Sequence, residues 1–494
     1  MEGSIYCALV FCLLFGLSTQ SNSSIGFTIT PDDFLLVTEG EIANVNINIS
    51  NIEQTNITIV NIDEDIFQVI PDDNDDQTLV MENGDIPILG LRLGIGTIRI
   101  LLTFPDGESE INYQVKVLRK SSVLDYAFTY TLLSWMIVSY VTMGTKMDLK
   151  IIWGKLRRPY AVVTGIVCQF LIMPVLAFAV ANIVSLEKEE TVGLLVDGSC
   201  PGGWLSNVFT LLLDCDFVLS LTMTFCSSIL ALGMMPLNMM LYTKPFVEEG
   251  DSLETPYAAL TMQLALMLIP VGIGIVILYK FTKLADLCVK LLKPFAFGLI
   301  VIAFSLGVPS QMFIFSSSWR VYTAAAIFPL IGGITGFTIA TVTRRKTPEA
   351  LTIAFETGVQ NSLLATTMAK LSYPQPEADL VCRVPLLIAI LTMIEGTIIV
   401  FIYVISQHLS KRAYQPVNEE PNELKSKEAE ENGRHNGWTK LPQVSENSRK
   451  IYIGNDFSSD DHKTKEDTKS ADCENELTPM TVPSKDCIEG PEDV

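Results

Sequence analysis

The sequence predicts an all-α membrane protein of about nine transmembrane helices, preceded by a small extracellular all-β sandwich domain. Two patterns indicate this fold class. From residue 123 onward, apolar segments of about 20 residues recur, and each is long enough to cross a ~30 Å hydrocarbon core. Before them, apolar and polar residues alternate with a period of two, which is typical of strands. The 49% share of hydrophobic residues in 494 agrees with a membrane protein.

The amino terminus carries an apolar run over residues 4–18, too short to span a bilayer comfortably and followed by small and polar residues. This predicts a signal peptide over residues 1–20. No lysine or arginine precedes the run, so an uncleaved anchor is the alternative.

Residues 21–120 are predicted to form the extracellular β domain. Val45, Ile47 and Ile49 alternate with asparagines, and Pro-Asp, Asn-Gly and Asp-Gly turn signals separate the strand-like runs. There is no cysteine between Gln20 and Cys168, so the domain is expected to depend on its apolar core rather than on disulfides. Glycosylation is predicted at three Asn-x-Ser/Thr sites: Asn22, Asn48 and Asn56.

The transmembrane domain is predicted over residues 121–410. The nine spans are placed near 123–144, 159–183, 191–213, 217–241, 257–279, 295–316, 320–343, 349–370 and 384–407. Basic residues cluster after the first, fifth, seventh and ninth spans, whereas the alternate loops are acidic or neutral. The positive-inside rule then places the amino terminus outside the cell and the carboxyl terminus in the cytosol, in what we expect to be the plasma membrane.

Most of the net charge of -21 lies outside the predicted membrane region. Residues 20–122 carry 17 acidic and 5 basic side chains, and residues 409–494 carry 19 and 12. No basic face is available for nucleic acid, so none is expected as a partner. The polar composition of residues 411–494 predicts a disordered cytosolic tail.

Two predicted spans contain residues that weaken a membrane helix. The third carries Pro201, Gly202 and Gly203 at its centre, and the eighth carries Gly358 among polar residues. Freed backbone groups are tolerated at bilayer depth only where they are buried or line a cavity. Paired, interrupted helices are typical of transporter binding sites, where carbonyls hold cations and half-helix amino termini face anionic groups.

Glu356 is the most informative single residue, because an ionised carboxylate inside a span costs several kcal/mol unless it is paired. A bound cation would offset that cost, and Gln360 on the same helical face would add an oxygen. The alternatives are a protonated carboxyl or a pair with a distant arginine.

Four segments resemble the sodium/bile acid cotransporters of the bile acid:sodium symporter superfamily, in the branch with a long extracellular N-terminal domain. They are CQFLIMP at 168–174, CPGGWLSN at 200–207, DCDFVLSLTMTFCSSILALGMMPL at 214–237 and AFETGVQN at 354–361. The resemblance implies an all-α membrane transporter with core and panel domains, in which two broken helices cross near the midplane.

The resemblance also implies two transported Na⁺ ions. The first would be held by Ser206, Asn207, Ser220, Thr224 and Glu356, and the second by Gln169, Glu356 and Gln360 with carbonyls near Thr357 and Val359. Substrate binding is implied for Asn361, Gly202, Gly203 and Trp204. Trp204 and Leu205 stand where the family usually has small residues, so bile acids themselves are not specified as the substrate.

The resulting hypothesis is a sodium-coupled secondary active symporter of an organic anion, bile-acid-like or a steroid conjugate, working by alternating access. Its expected partners are this small molecule and the lipid bilayer, and a homodimer is left open. The alternative is a non-transporting receptor or adhesion protein that uses the β domain. An enzyme is not expected, because no nucleophile-and-base arrangement or phosphate-binding loop appears and the three histidines lie at or beyond the end of the last span.

Overall fold

A computed structural model describes residues 27–49, 56–70, 85–104, 107–247 and 253–413. The predicted signal peptide, the predicted glycosylation site at Asn22 and nearly all of the predicted cytosolic tail lie outside these residues.

The amino-terminal part of the described chain forms two four-stranded sheets. The first has the strand order β1-β3-β6-β5, and the second has the order β2-β8-β7-β4. Strands β2 and β8 pair in parallel, and the other pairs are antiparallel. The strands are β1 (Phe27–Thr30), β2 (Phe34–Thr38), β3 (Ile42–Ile49), β4 (Asn56–Asn61), β5 (Phe67–Val69), β6 (Asp85–Gly90), β7 (Gly94–Phe104) and β8 (Gly107–Leu118).

The period-two alternation produces the core that the sequence predicts. Val45 and Ile47 on β3 are buried while Asn46 and Asn48 are exposed, because successive side chains of a strand point to opposite faces. Ile98 and Ile100 of the second sheet are buried in the same apolar cluster, so the two sheets share one core.

Helices follow from residue 123. They are α1 (Val123–Gly144), α2 (Leu149–Leu156), α3 (Tyr160–Val167), α4 (Met173–Val184), α5 (Lys188–Ser199), α6 (Trp204–Leu212), α7 (Phe217–Thr243), α8 (Tyr257–Lys280), α9 (Thr282–Ile302), the short α10 (Val308–Ser310), α11 (Trp319–Val342), α12 (Thr347–Gly358), α13 (Ser362–Ser372) and α14 (Glu377–Ala413). A π-helical turn, Cys168–Ile172, joins α3 to α4.

Five helical segments of the described chain are long and apolar enough to cross a membrane. They are Tyr160–Val184, Phe217–Thr243, Tyr257–Lys280, Trp319–Val342 and Glu377–Leu409. Each of the two predicted spans with a weak helix centre is divided into two short helices. The third predicted span consists of α5 and α6, and the eighth consists of α12 and α13. Neither half reaches the length of a span, as expected of broken helices.

Two predicted spans differ from the structure by more than a few residues: the ninth, placed at 384–407, belongs to a helix that begins at Glu377, and the sixth differs further. The sixth span was expected to begin near 295, whereas α9 begins at Thr282 and includes Lys283 and Lys290, which the sequence placed in a basic loop. Both lysines are exposed on the helix. Lysine is a good helix former, so a helix can start well before its apolar stretch, and hydropathy detects only the apolar part.

The β domain contacts the helical region through charged residues. Lys116 on β8 forms an ion pair with Glu377 at the start of α14, and their side chains are only 5% and 0% exposed. Arg383 of α14 donates to the Leu93 carbonyl oxygen at 3.2 Å. After β8, the Arg119 guanidinium lies 2.7 Å from Asp125 of α1 and 3.5 Å from Asp379 of α14. These contacts fix the domain against both the first and the last helix.

Candidate functional site in the crossing of two broken helices

The two helix interruptions meet in space. Gly202 and Gln360 form an isolated antiparallel β-bridge between the segment linking α5 to α6 and the segment linking α12 to α13. Glycine at position 202 leaves room for the carboxylate, since a Cβ atom there would lie 2.7 Å from Oε2 of Glu356. On Gly203 it would lie 3.1 Å from the Gln360 carbonyl oxygen.

The Glu356 carboxylate lies at the end of α12, is 1% exposed and accepts hydrogen bonds from three hydroxyl groups. Ser206 donates to Oε1 at 2.8 Å, Ser220 also donates to Oε1, and Thr224 donates to Oε2 at 3.1 Å. The hydroxyls come from α6 and α7, so three helices surround one carboxylate. Ser220 and Thr224 are four residues apart and therefore lie on one face of α7.

Asn207 connects the hydroxyl groups to one another. Its Oδ1 lies 2.8 Å from Ser220 Oγ, so Asn207 and Glu356 share the single hydroxyl proton of Ser220, and its Nδ2 donates to Thr224 Oγ1 at 3.1 Å. The structure therefore brings together all five residues predicted for the first sodium site, and the ring of oxygen atoms that they form is buried.

A second cluster forms beside the π-helical turn. Gln169 Nε2 donates to the Cys200 carbonyl at 2.7 Å and to Oε1 of Gln360, and Gln360 Nε2 donates to the Thr357 carbonyl at 2.8 Å. Gln169, Gln360 and the Thr357 carbonyl are thus brought together. Glu356 is predicted for this second site as well. The hydrogen bonds described above join its carboxylate to residues of the first cluster, and none of them joins it to Gln169 or to the Val359 carbonyl.

Two of the four predicted substrate residues, Asn361 and Trp204, lie beside α1. Asn361, which caps α13 by accepting from the Leu364 amide at 3.3 Å, donates its side-chain amide to the Tyr140 hydroxyl on α1. Trp204, at the start of α6, lines a narrow cavity between α1 and α7.

Sequence reasoning did not find Tyr140 or Ser227. Nothing in the sequence around Tyr140 marks it as a site residue, and it lies 221 residues before Asn361 in the chain. Ser227 accepts from the Gly202 amide at 3.4 Å. It could have been found, because Ser220, Thr224 and Ser227 follow a four- and three-residue spacing that places them on one face of a helix.

Asp197 on α5, which the sequence left without a role, is fully buried. Within the part of the chain that the structure describes, neither of its carboxylate oxygens has a hydrogen-bond partner of good geometry.

The chemistry of the first cluster suits a hard monovalent cation. One carboxylate is combined with neutral hydroxyl and amide oxygens, and hard cations prefer oxygen ligands. Among the described residues, no group of three or more His, Cys, Asp or Glu side chains could hold a metal ion, so a transition-metal site of that kind is not found there.

Comparison with known proteins identifies the family of the chain. Residues 132–318 match the Sodium Bile acid symporter family. The human sodium-dependent organic anion transporter is 33% identical over 280 residues, which cover 57% of this chain and 74% of that protein. The human ileal sodium/bile acid cotransporter is 33% identical over 267 residues, 53% of this chain and 75% of that protein. These relatives are transporters and not enzymes. The chain therefore belongs to the sodium bile acid symporter family, and it is a multi-pass membrane protein.

Proposed function

We propose that the chain is a sodium-coupled secondary active symporter of an amphipathic organic anion, bile-acid-like or a steroid conjugate. The observation that carries the proposal is the buried Glu356 carboxylate, held among oxygen donors from α6 and α7 where the two broken helices meet. A buried carboxylate is costly unless a positive charge compensates it, and no lysine or arginine is within ion-pair distance of it in the described chain. Na⁺ supplies that charge.

Two Na⁺ ions accompany each substrate. The first is coordinated by Ser206, Asn207, Ser220, Thr224 and Glu356. The second is coordinated by Gln169, Glu356 and Gln360 with the carbonyls near Thr357 and Val359. When an ion enters the first site, the hydroxyls that now donate to Glu356 rotate, and their lone pairs turn toward the ion.

The chain crosses the plasma membrane nine times, with the amino terminus outside and the carboxyl terminus in the cytosol. Residues 1–20 are a signal peptide, 21–120 a glycosylated extracellular β domain, 121–410 the transporter and 411–494 a disordered tail. Helices α1, α8 and α9 form the panel and the remaining spans form the core. Helix α1 packs against α8 and α9, whereas α5 packs against α4 and α14. These two separate packing groups support the division.

Transport proceeds by alternating access. Sodium stabilises the crossing, the anion then binds near Asn361, Gly202, Gly203 and Trp204, and the core moves against the panel. The hydrogen bond between Asn361 of the core and Tyr140 of the panel supports a substrate site at this boundary, since the bond joins the two parts that must separate.

The test is uptake of a radiolabelled steroid sulfate and a radiolabelled conjugated bile acid into cells that express the full chain. Uptake is expected to fall to the level of untransfected cells when choline replaces Na⁺. Uptake that is equal in the two media would contradict sodium coupling. The purified protein should also melt at a higher temperature in NaCl than in KCl, because only a ligand of the folded state raises its stability.

A further inference from the structure

Lys146 differs in its surroundings from two other lysines, Lys155 and Lys370. It follows the end of α1 at Gly144, is half-buried, and places its ammonium group 5.0 Å from the centre of the Phe217 ring. In the described part of the chain no carboxylate lies within ion-pair distance of it. By contrast, Lys155 pairs with Asp216 at 2.5 Å and Lys370 with Asp379 at 3.6 Å.

Lys146 lines the cavity between α1 and the pair α6 and α7. Ser139 and Thr142 form one wall, and Trp204, Asn207 and Phe217 form the other. The cavity measures about 20 Å³, the space of about one water molecule. A larger ligand can enter only when α1 separates from α6 and α7, which is the movement that alternating access requires.

Burying a cation without a counter-charge is unfavourable, and burial lowers the pKa of Lys146 to about 8. The Phe217 ring offsets part of this cost by a cation–π interaction. The positive-inside rule does not explain why Lys146 is half-buried, because Lys150, four residues later at the start of α2, carries the same charge and is exposed.

We propose that Lys146 recognises the acidic group of the transported anion on the cytosolic side of this cavity. The inference rests on the proposed function and adds to it the residue that selects for charge. The ligand has one sulfate, sulfonate or carboxylate group, which pairs with the ammonium, and an apolar body that packs against Trp204 and Phe217. Asn207 belongs to both the cavity wall and the first sodium site, so the anion and sodium bind next to each other.

The test compares a steroid sulfate with the same steroid bearing a free hydroxyl, as ligands of the purified full chain in NaCl. Binding is read as the rise in melting temperature over a concentration series. Lys146→Met is expected to weaken binding of the sulfate by about 10- to 100-fold, the usual effect of losing a hydrogen bond to a charged group. Lys146→Arg should stay within a few-fold of the unmodified chain. The matched control Lys150→Met removes an exposed charge four residues away, at the start of α2, and should bind the sulfate normally.

Equal binding of the sulfate by Lys146→Met and the unmodified chain would overturn the proposal, as would failure of the unmodified chain to prefer the sulfate over the alcohol. The rise in melting temperature caused by NaCl alone, without steroid, reports whether each variant is folded and tests sodium coupling separately. If Lys146→Met does not fold, the test depends on Lys146→Arg. This variant keeps the positive charge, so if it still responds to sodium but no longer prefers the sulfate, the proposal is contradicted.

Discussion

At the scale of single residues, the Glu356 charge should decide whether sodium binds. Glu356→Gln keeps the shape of the side chain and leaves partners for Ser206 and Thr224, but it removes the charge that attracts a cation. We expect sodium-dependent uptake to fall at least about tenfold and the sodium-induced rise in melting temperature to disappear, since removing one partner of a buried charge pair typically costs about 3–5 kcal/mol, and a tenfold change is about 1.4 kcal/mol. Glu349→Gln, two turns earlier on α12, is the control and should keep both properties.

A second prediction at this scale concerns pH. Because the pKa of Lys146 is lowered to about 8, its ammonium form is present below that pH and is lost above it. Affinity for a steroid sulfate should therefore fall as the pH rises through about 8. The neighbouring acids do not change this expectation, since Asp148 caps α2 and Asp216 pairs with Lys155.

The measurement is the dissociation constant of the steroid sulfate between pH 6.5 and 9.5 in NaCl. Lys146→Arg should flatten the profile, because a guanidinium stays charged over this range. A profile that is the same for the lysine and the arginine protein would assign the pH dependence to another group.

At the scale of the helices, the sequence predicted the two broken spans because their signals are local. Pro201, Gly202 and Gly203 weaken a helix wherever they occur, and a carboxylate at Glu356 is conspicuous in an apolar segment. The start of α9 at Thr282 was missed, since helix formation does not require apolar residues. The contact of Asn361 with Tyr140 could not be predicted either, because it depends on how distant helices pack.

The crossing itself leads to a prediction about glycine. In Gly202→Ala the new Cβ would lie 2.7 Å from Oε2 of Glu356, so the carboxylate must shift from its place among the Ser206, Ser220 and Thr224 hydroxyls. We expect a loss of about 1–3 kcal/mol in stability, as for other overpacked sites, together with weaker sodium binding. Gly233→Ala on α7 is the control, because no atom lies within 4 Å of its Cβ position and alanine favours a helix. Sodium titrations followed by melting temperature would separate the two, and equal sodium affinity in both variants would argue against a tight crossing.

At the scale of the whole described chain, the arrangement of the β domain depends on contacts between remote positions. The alternation of Val45, Ile47, Ile98 and Ile100 predicted its core from local sequence. Its attachment to the helices was not predictable in this way, because Lys116 and Glu377 are 261 residues apart and neither stands out in its own segment. A buried ion pair of this kind is found only when the tertiary structure is known.

The Lys116–Glu377 pair should hold the β domain against the start of α14. Lys116→Met leaves the Glu377 carboxylate buried without this partner, which typically costs about 3–5 kcal/mol, so the melting temperature should fall by several degrees and amide exchange in β8 should rise.

Arg99→Met is the control, since its pair with Glu110 is about half exposed and such pairs contribute at most about 1 kcal/mol. The double variant Lys116→Met/Glu377→Leu should regain most of the loss, because an apolar pair needs no counter-charge. If Lys116→Met proved as mild as Arg99→Met, the β domain would have to be held by other contacts, of which Arg119 with Asp125 and Asp379 are the first to test.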